Sequence, residues 1–333
     1  MANLIKRVNV HISMKRSIII GIAGKKHDET VTLAKDLDYE IVTSITQNLD
    51  FPKRSTYLGK GKLAETADVS KGLDVNFVIV SGDLSSRQYF EVEKAFGIPA
   101  IDRPRLILEA FERSAASHTA KLEVKIARLE HEIPFLREYA KIITQSERAG
   151  FYAGGRQRID VYLNQIGRER KRIASELKKR GTSKSDHRRR RRDSGFFQVS
   201  LCGFTNSGKT SLYNLMTQSK EEVSNRFFTT LETRTSLIDQ KGPILFSDTV
   251  GFYSDLPPWV FKAFKATLEE IYQANEILLL ISADQDLDKI IEEADMSISI
   301  LSKKVEPERI IPILTKSDTK TKEEIKTIIE KLS

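Results

Sequence analysis

The chain of 333 residues carries 54 Lys and Arg against 46 Asp and Glu, a net charge of +8, and 40% of it is apolar. Such a length accommodates about two or three domains, each with room for its own core. A single cysteine, Cys202, excludes an internal disulfide framework and accords with a reducing, cytoplasmic setting, while apolar runs such as Ser17–Gly21 and Ile277–Ile281 are strand-length and exclude a membrane span.

In chain order, the first twelve or so residues fit an added strand or a tail, and residues 1–13 lack a signal-peptide pattern. Residues 1–116 are read as an α/β subdomain. β-branched runs at Ser17–Ile22, Glu40–Thr46, Asn76–Ser81 and Ile98–Ile101 alternate with helical spacing at Asp28–Asp36, Lys62–Ala67 and Ser85–Phe96, the pattern of a small parallel sheet. Tyr57-Leu-Gly-Lys-Gly-Lys62 stands before a helix and could hold an anion; lacking the full phosphate-loop spacing, it reads more simply as a turn with two solvated lysines.

Residues 117–180 are read as an antiparallel helical arm. Leu122, Ile126, Leu129, Ile133 and Leu136 form one apolar stripe, and Ile159, Tyr162, Leu163, Ile166, Ile173 and Leu177 form a second that can cover it. The loop between them, residues 145–158, holds Gly150, Phe151, Tyr152, Gly154, Gly155, Arg156 and Arg158. Aromatic rings and guanidinium groups at the tip of an arm suit RNA, by stacking and phosphate pairing; a solvated loop is the plainer alternative. Residues 181–195 are read as a basic linker: Gly181–Asp186 is polar and turn-like, and His187-Arg-Arg-Arg-Arg-Arg192 has the charge density of an exposed, flexible segment that seeks a polyanion.

Residues 196–333 carry the chemistry. The apolar run Val199–Cys202 leads into Gly203-Phe-Thr-Asn-Ser-Gly-Lys-Thr-Ser211 and then a helical segment, Leu212–Met216, which is the strand, glycine loop and helix of a P-loop. Backbone N–H groups of Gly203, Asn206, Ser207, Gly208 and Ser211 are candidates to cradle phosphate, Lys209 supplies a charge for the outer phosphates, and the Thr210 hydroxyl can sit on Mg²⁺. Thr229 and Thr230 lie where a switch loop could place a hydroxyl on the metal and the terminal phosphate. Asp248-Thr-Val-Gly251 follows the run Ile244–Phe246, so Asp248 can hold Mg²⁺ through water and Gly251 can offer its N–H to the γ-phosphate. Thr315-Lys-Ser-Asp318 follows the run Ile310–Leu314. Asp318 can accept two hydrogen bonds from guanine, and the Lys316 stem can cover the base; an Asn usually stands where Thr315 does. Phe252 occupies the position after Gly251 where many GTPases place a water-orienting glutamine, and none of the five histidines falls in this domain, so slow intrinsic turnover is expected. One helical segment, Lys322–Leu332, follows the Thr315 motif, a strand and a helix short of the usual domain, which predicts weaker nucleotide binding.

Taken together, Gly203–Ser211, Asp248–Phe252, Leu256-Pro257, Ala263–Glu270, Thr56–Lys62, Ile101–Arg103 and Lys121–Leu129 resemble the HflX family of ribosome-associated GTPases, within the translation-factor-related class of P-loop GTPases. The resemblance implies an N-terminal parallel-sheet α/β subdomain, a coiled-coil arm and a Ras-like G domain. It also implies GTP hydrolysis with Mg²⁺ and GTP/GDP as ligands, and a cytoplasmic monomer bound to the large ribosomal subunit with its arm loop on ribosomal RNA. In bacterial members the task is splitting or rescue of stalled ribosomes under stress; ribosome assembly, or a nucleotide-gated RNA-binding module with negligible hydrolysis, are the alternatives. Thr230-Leu-Glu232 matches the family's switch motif, favouring Thr230 over Thr229 as metal contact. Gly154-Gly-Arg-Gln157 departs from the family's Gly-Pro-Gly-Glu-Thr-Gln arm loop.

Overall fold

The computed structural model of the chain describes residues 15–115, 117–146, 153–193, 195–219, 234–238, 243–249, 251–252 and 265–332. Its contacts separate into two compact units, residues 1–110 with 125–174, and residues 111–124 with 175–333.

In the first unit the apolar runs become Lys15–Ile22 (β1), Tyr39–Gln47 (β2), Phe77–Val80 (β3) and Ala100–Asp102 (β4), a sheet of order β2-β1-β3-β4. All three pairings are parallel, so each strand needs a crossover. Lys25–Asp36 (α1), Lys60–Lys71 (α2) and Ser86–Phe96 (α3) supply them. With helices as crossovers, adjacent residues that point to opposite faces are equally buried: Ile18, Ile19, Ile20, Val78, Ile79 and Val80 are all fully enclosed. α3 begins on a capping box between Ser85 and Gln88 and ends at Gly97 in the left-handed region, φ 70°. A further helix, Arg103–Ser114 (α4), follows β4 directly, its Pro104 tolerated because it lies in the first turn.

His118–Ser146 (α5) and Ala153–Asp193 (α6) make up the helical middle region. Leu122, Leu129 and Leu136 are buried on α5, as are Ile166 and Ile173 on α6, and Lys125 pairs with Glu169 at 2.6 Å. α5 also carries a second apolar pair that the stripe analysis passes over. Phe135 meets Tyr89 edge-on at 5.0 Å between ring centroids, Tyr139 meets Phe90 at 6.0 Å, and both belong to the core that covers β1 and β3. The Arg105 guanidinium lies over both Tyr89 and Phe135, at 4.3 and 4.7 Å. Of the predicted loop over 145–158, residues 147–152 lie outside the described residues, while Gly154, Gly155 and Arg156 open α6. The turn-like reading of Gly181–Asp186 is corrected: α6 runs through it to Asp193. Lys and Arg are good helix formers, and a lone Gly181 costs a helix only about 1 kcal/mol.

In the second unit Phe197–Gly203 (β5), Arg234–Ile238 (β6), Ile244–Asp248 (β7), Glu276–Ser282 (β8) and Ile310–Thr315 (β9) form a sheet of order β6-β7-β5-β8-β9. Only β6 runs antiparallel to its neighbour. Lys209–Thr217 (α7), Lys265–Gln273 (α8), Leu287–Leu301 (α9) and Lys322–Leu332 (α10) accompany it. Parallel pairing brings the carboxyl ends of β5, β7, β8 and β9 to one edge, with Gly203 beside Leu280 and Ser282 beside Thr315. This edge, where connections leave β5 in opposite directions, is where open α/β sheets form ligand crevices.

Because Phe135 is buried against Tyr89 and the Arg105 guanidinium, Phe135→Ala should lower the unfolding free energy by about 3–5 kcal/mol. Val161→Ala, at an exposed position of α6, should change it by no more than about 0.5 kcal/mol. Urea denaturation followed by circular dichroism measures both.

A candidate nucleotide site at the strand ends

β5 ends at Gly203 with φ 136°, and a Cβ there would lie 2.3 Å from the Leu280 carbonyl oxygen, so the close approach of β8 admits no side chain. The loop then rises through exposed Asn206, at φ 63°, to Gly208, the N-cap of α7. Ser207 is buried beneath the loop, and Ser211 is exposed on the first turn of α7.

Lys209 is buried, and its Nζ donates to the Gly203 and Phe204 carbonyl oxygens at 3.1 and 2.6 Å, with Ser207 Oγ at 3.5 Å. Burial pulls its pKa from 10.5 down to about 8, against the opposing pull of Asp248. The Thr210 hydroxyl donates to Asp248 Oδ2 at 3.0 Å, joining the start of α7 to the end of β7. Asp248 is itself fully buried, and the adjacent Thr249 hydroxyl is tied to the Leu201 carbonyl at 2.5 Å. Among the described residues no group of three or more His, Cys, Asp or Glu side chains converges. One hydroxyl beside one carboxylate nevertheless fits Mg²⁺, a hard cation that takes few protein oxygens and fills its remaining positions with water and phosphate.

Gly251 and Phe252 fold back onto the loop. Phe252 N donates to the Gly203 carbonyl and Thr205 N to the Phe252 carbonyl, both at 2.8 Å. The Phe252 ring is only 3% exposed and meets Phe204 edge-on at 6.3 Å. A Cβ at Gly251 would sit 2.9 Å from Lys209 Nζ and 3.0 Å from Thr205 Cα. The position where a water-orienting glutamine often stands is thus part of the core.

The third motif is drawn in by Thr315, whose hydroxyl donates to the Ser207 carbonyl at 2.9 Å, with the Ile281 carbonyl at 3.2 Å. Lys316, at φ 53°, places Nζ 2.7 Å from Asp284 Oδ2, and Ser282 Oγ donates to Asp284 Oδ1 at 2.6 Å. Burial works to raise the Asp284 pKa, but the Lys316 and Ser282 hydrogen bonds hold it below its ordinary value. Asp318 is exposed on the turn Ser317–Thr319. The structure therefore gathers Gly203, Ser207, Gly208, Lys209, Thr210, Asp248, Gly251 and Thr315 into one cluster, with Lys316 anchored beside it; Thr229 and Thr230 lie outside the described residues. Asp284 and the Phe204–Phe252 contact escaped the sequence reading. Asp284, two residues past a buried run and opposite Lys316 in the next strand's loop, carried a faint signal; the phenyl pair carried none.

A lysine-bearing glycine loop at a helix N-terminus, with a hydroxyl and a carboxylate meeting beside it, defines a P-loop nucleotide-binding protein. The chain matches, in succession, three families described as GTP-binding GTPase N-terminal (residues 24–112), GTP-binding GTPase Middle Region (114–191) and 50S ribosome-binding GTPase (198–316). It is 34% identical over 311 residues to the GTPase HflX of Methanocaldococcus jannaschii, covering 92% of this chain and 76% of that one. It is 35% identical over 288 residues to the GTPase HflX of Thermococcus kodakarensis, covering 86% of this chain but only 65% of that relative's length. A GTP-binding protein of Sulfolobus solfataricus, solved in complex with GDP, shares the fold with a TM-score of 0.51 at 21% identity, over 96% of this chain and 88% of that one. The chain belongs to the HflX family of GTPases.

The depressed Lys209 gives two opposite pH dependences. Between about pH 8 and 10.5 the unfolded chain binds more protons at this group than the native one, so its contribution to stability rises with pH there. Phosphate binding favours the charged ammonium, so GDP affinity should fall as pH rises through about 8. Calorimetry at pH 8 in buffers of different ionisation enthalpy should show uptake of about half a proton per GDP bound. Lys209→Ala should bind weakly and abolish the uptake.

Proposed function

We propose that the chain is a GTP-hydrolysing switch that acts on the large ribosomal subunit. The observation that carries this reading is the meeting of three motifs far apart in sequence, through Thr210 on Asp248 and Thr315 on the Ser207 carbonyl. In it, the N–H groups of the 203–211 loop and the Lys209 ammonium hold the phosphates, and Thr210 and Asp248, with Thr230, hold Mg²⁺. The metal, when bound, neutralises charge on the phosphate oxygens. Gly251 reports the γ-phosphate to the segment that follows it, and Lys316 and Asp318 select guanine. Phosphoryl transfer to water asks for positioning and charge stabilisation more than covalent chemistry. Lys209 must then exchange loop carbonyls for phosphate oxygens, and Phe252, held in the core, leaves water positioning to another group.

The arm loop and the run Arg188–Arg192 are assigned to ribosomal RNA, and splitting or rescue of stalled ribosomes is the task we favour. The family description over residues 198–316 and the relatives above support ribosome association. A monomer and a cytoplasmic location complete the reading; no helix among the described residues is long and apolar enough to cross a membrane. The buried Phe252 favours one second reading, a nucleotide-gated RNA-binding module whose hydrolysis is negligible in use.

GTP turnover, with ATP as control, should be slow for the chain alone and rise on adding purified large ribosomal subunits; no rise supports the second reading. Asp318→Ala should reduce the preference for GTP over ATP by about 10- to 100-fold, the worth of hydrogen bonds to a charged acceptor. Unchanged discrimination would remove Asp318 from base selection.

A further inference from the structure

The loop between β2 and α2 holds an aromatic ring in solvent at a place where its neighbours are clamped. Phe51 is 80% exposed, and Pro52, Lys53 and Arg54 beside it are exposed as well. Two residues beyond Arg54 the chain dives inward: Thr56, Tyr57 and Leu58 are buried. The two halves are locked together. Lys53 N donates to the Tyr57 carbonyl at 2.7 Å and Tyr57 N to the Lys53 carbonyl at 3.0 Å. The Lys53 carbonyl also accepts from Gln88 Nε2 at 2.8 Å, and Gln88 is fixed by the capping box at the start of α3. Tyr57 takes φ 67°, a strained conformation for a bulky residue, yet its ring is buried and its hydroxyl bonded to Ser81. Strain of this kind persists only where the surroundings over-determine it, and it gathers at functional sites. Pro52 adds its own restriction, disfavouring the helical region for Phe51.

A lone exposed phenylalanine is ordinary. This one is presented by a preformed loop and accompanied by Lys53, Arg54 and, at the opening of α2, Lys60, none in an ion pair among the described residues. One acid, Asp50, offsets them. A rigid ring with cations beside it matches an unpaired nucleotide, which offers a π-face and a phosphate, and ordering costs were met on folding. We propose that residues 51–54 form a second RNA contact, separate from the arm loop, with Phe51 stacking on an unpaired base and Lys53 and Arg54 on the flanking phosphates. This builds on the ribosome-binding reading above.

The test uses fluorescence anisotropy with a fluorescein-labelled single-stranded oligouridine, together with co-sedimentation with purified large ribosomal subunits. Phe51→Ala should weaken both about five- to a hundred-fold, as expected for losing one stacked base, and Phe51→Trp should restore both. Lys53→Gln and Arg54→Gln should each flatten the log–log salt slope by roughly 0.7. The melting temperature should not move, since the ring is outside the core. Unchanged oligouridine binding by Phe51→Ala overturns the proposal. Weakened subunit binding alone also overturns it, and points to a protein surface. A wild-type chain that binds neither probe overturns both this inference and the ribosome reading. Phe51-dependent oligouridine binding without subunit binding overturns only the latter.

Discussion

An ammonium group enclosed by protein is the constraint around which the second unit is built. Taking the Lys209 charge out of water carries a desolvation penalty of several kcal/mol unless other dipoles replace the solvent. The glycine loop does so with its own carbonyls, those of Gly203 and Phe204. That explains why Gly203 must curve as it does and why β8 can press against it. It also explains the placement of Asp248, whose buried carboxylate is close enough to lift the lysine's pKa and to accept from Thr210. A phosphate chain offers the same ammonium better acceptors, so the site is poised to exchange one set of oxygens for another.

The two sheets of the chain solve one packing problem in different ways. In the first, four short parallel strands bury both faces under helices, and the α5 side chains Phe135 and Tyr139 join the core. In the second, the four parallel strands of a five-stranded sheet bring their carboxyl ends to a crevice whose loops are bonded to one another through Thr315, Lys316 and Asp284. The loops of the second sheet are therefore coupled, and a ligand that grips one of them is felt by its neighbours.

Strands and the glycine loop that joins β5 to α7 are readable from the sequence because both rest on local patterns. Apolar runs such as Ser17–Ile22 and Ile277–Ile281 leave few alternatives, and the glycine-loop spacing admits little else. Other features depend on partners distant in sequence. Arg234–Ile238 is short, half polar and at a sheet edge, so its period is weak and its pairing with Ile244–Asp248 only appears in three dimensions. Phe135 and Tyr139 lie off the stripe of α5, and periodicity alone assigns them to solvent. Gly181–Asp186 reads as a turn because its residues are polar and open on a glycine, whereas a long helix already formed propagates through them. Thr315 stands where an Asn is usual, and its hydroxyl fastens the end of β9 to the glycine loop, a bond the local pattern does not foretell.

Phe252 limits how the end of the Asp248 motif can move. Its ring meets Phe204 within the core that also holds Cys202, Ile271 and Ile281, so Phe252 is stapled to the hydrophobic interior. A side chain in such a site has no graded way out. Any rearrangement that withdraws it leaves a void of phenyl size, and close-packed interiors accept such voids only at a cost of several kcal/mol. Intermediate positions are penalised more than either end state. Phe252 is thus fastened by its main chain and by its ring, like a detent and not like a hinge.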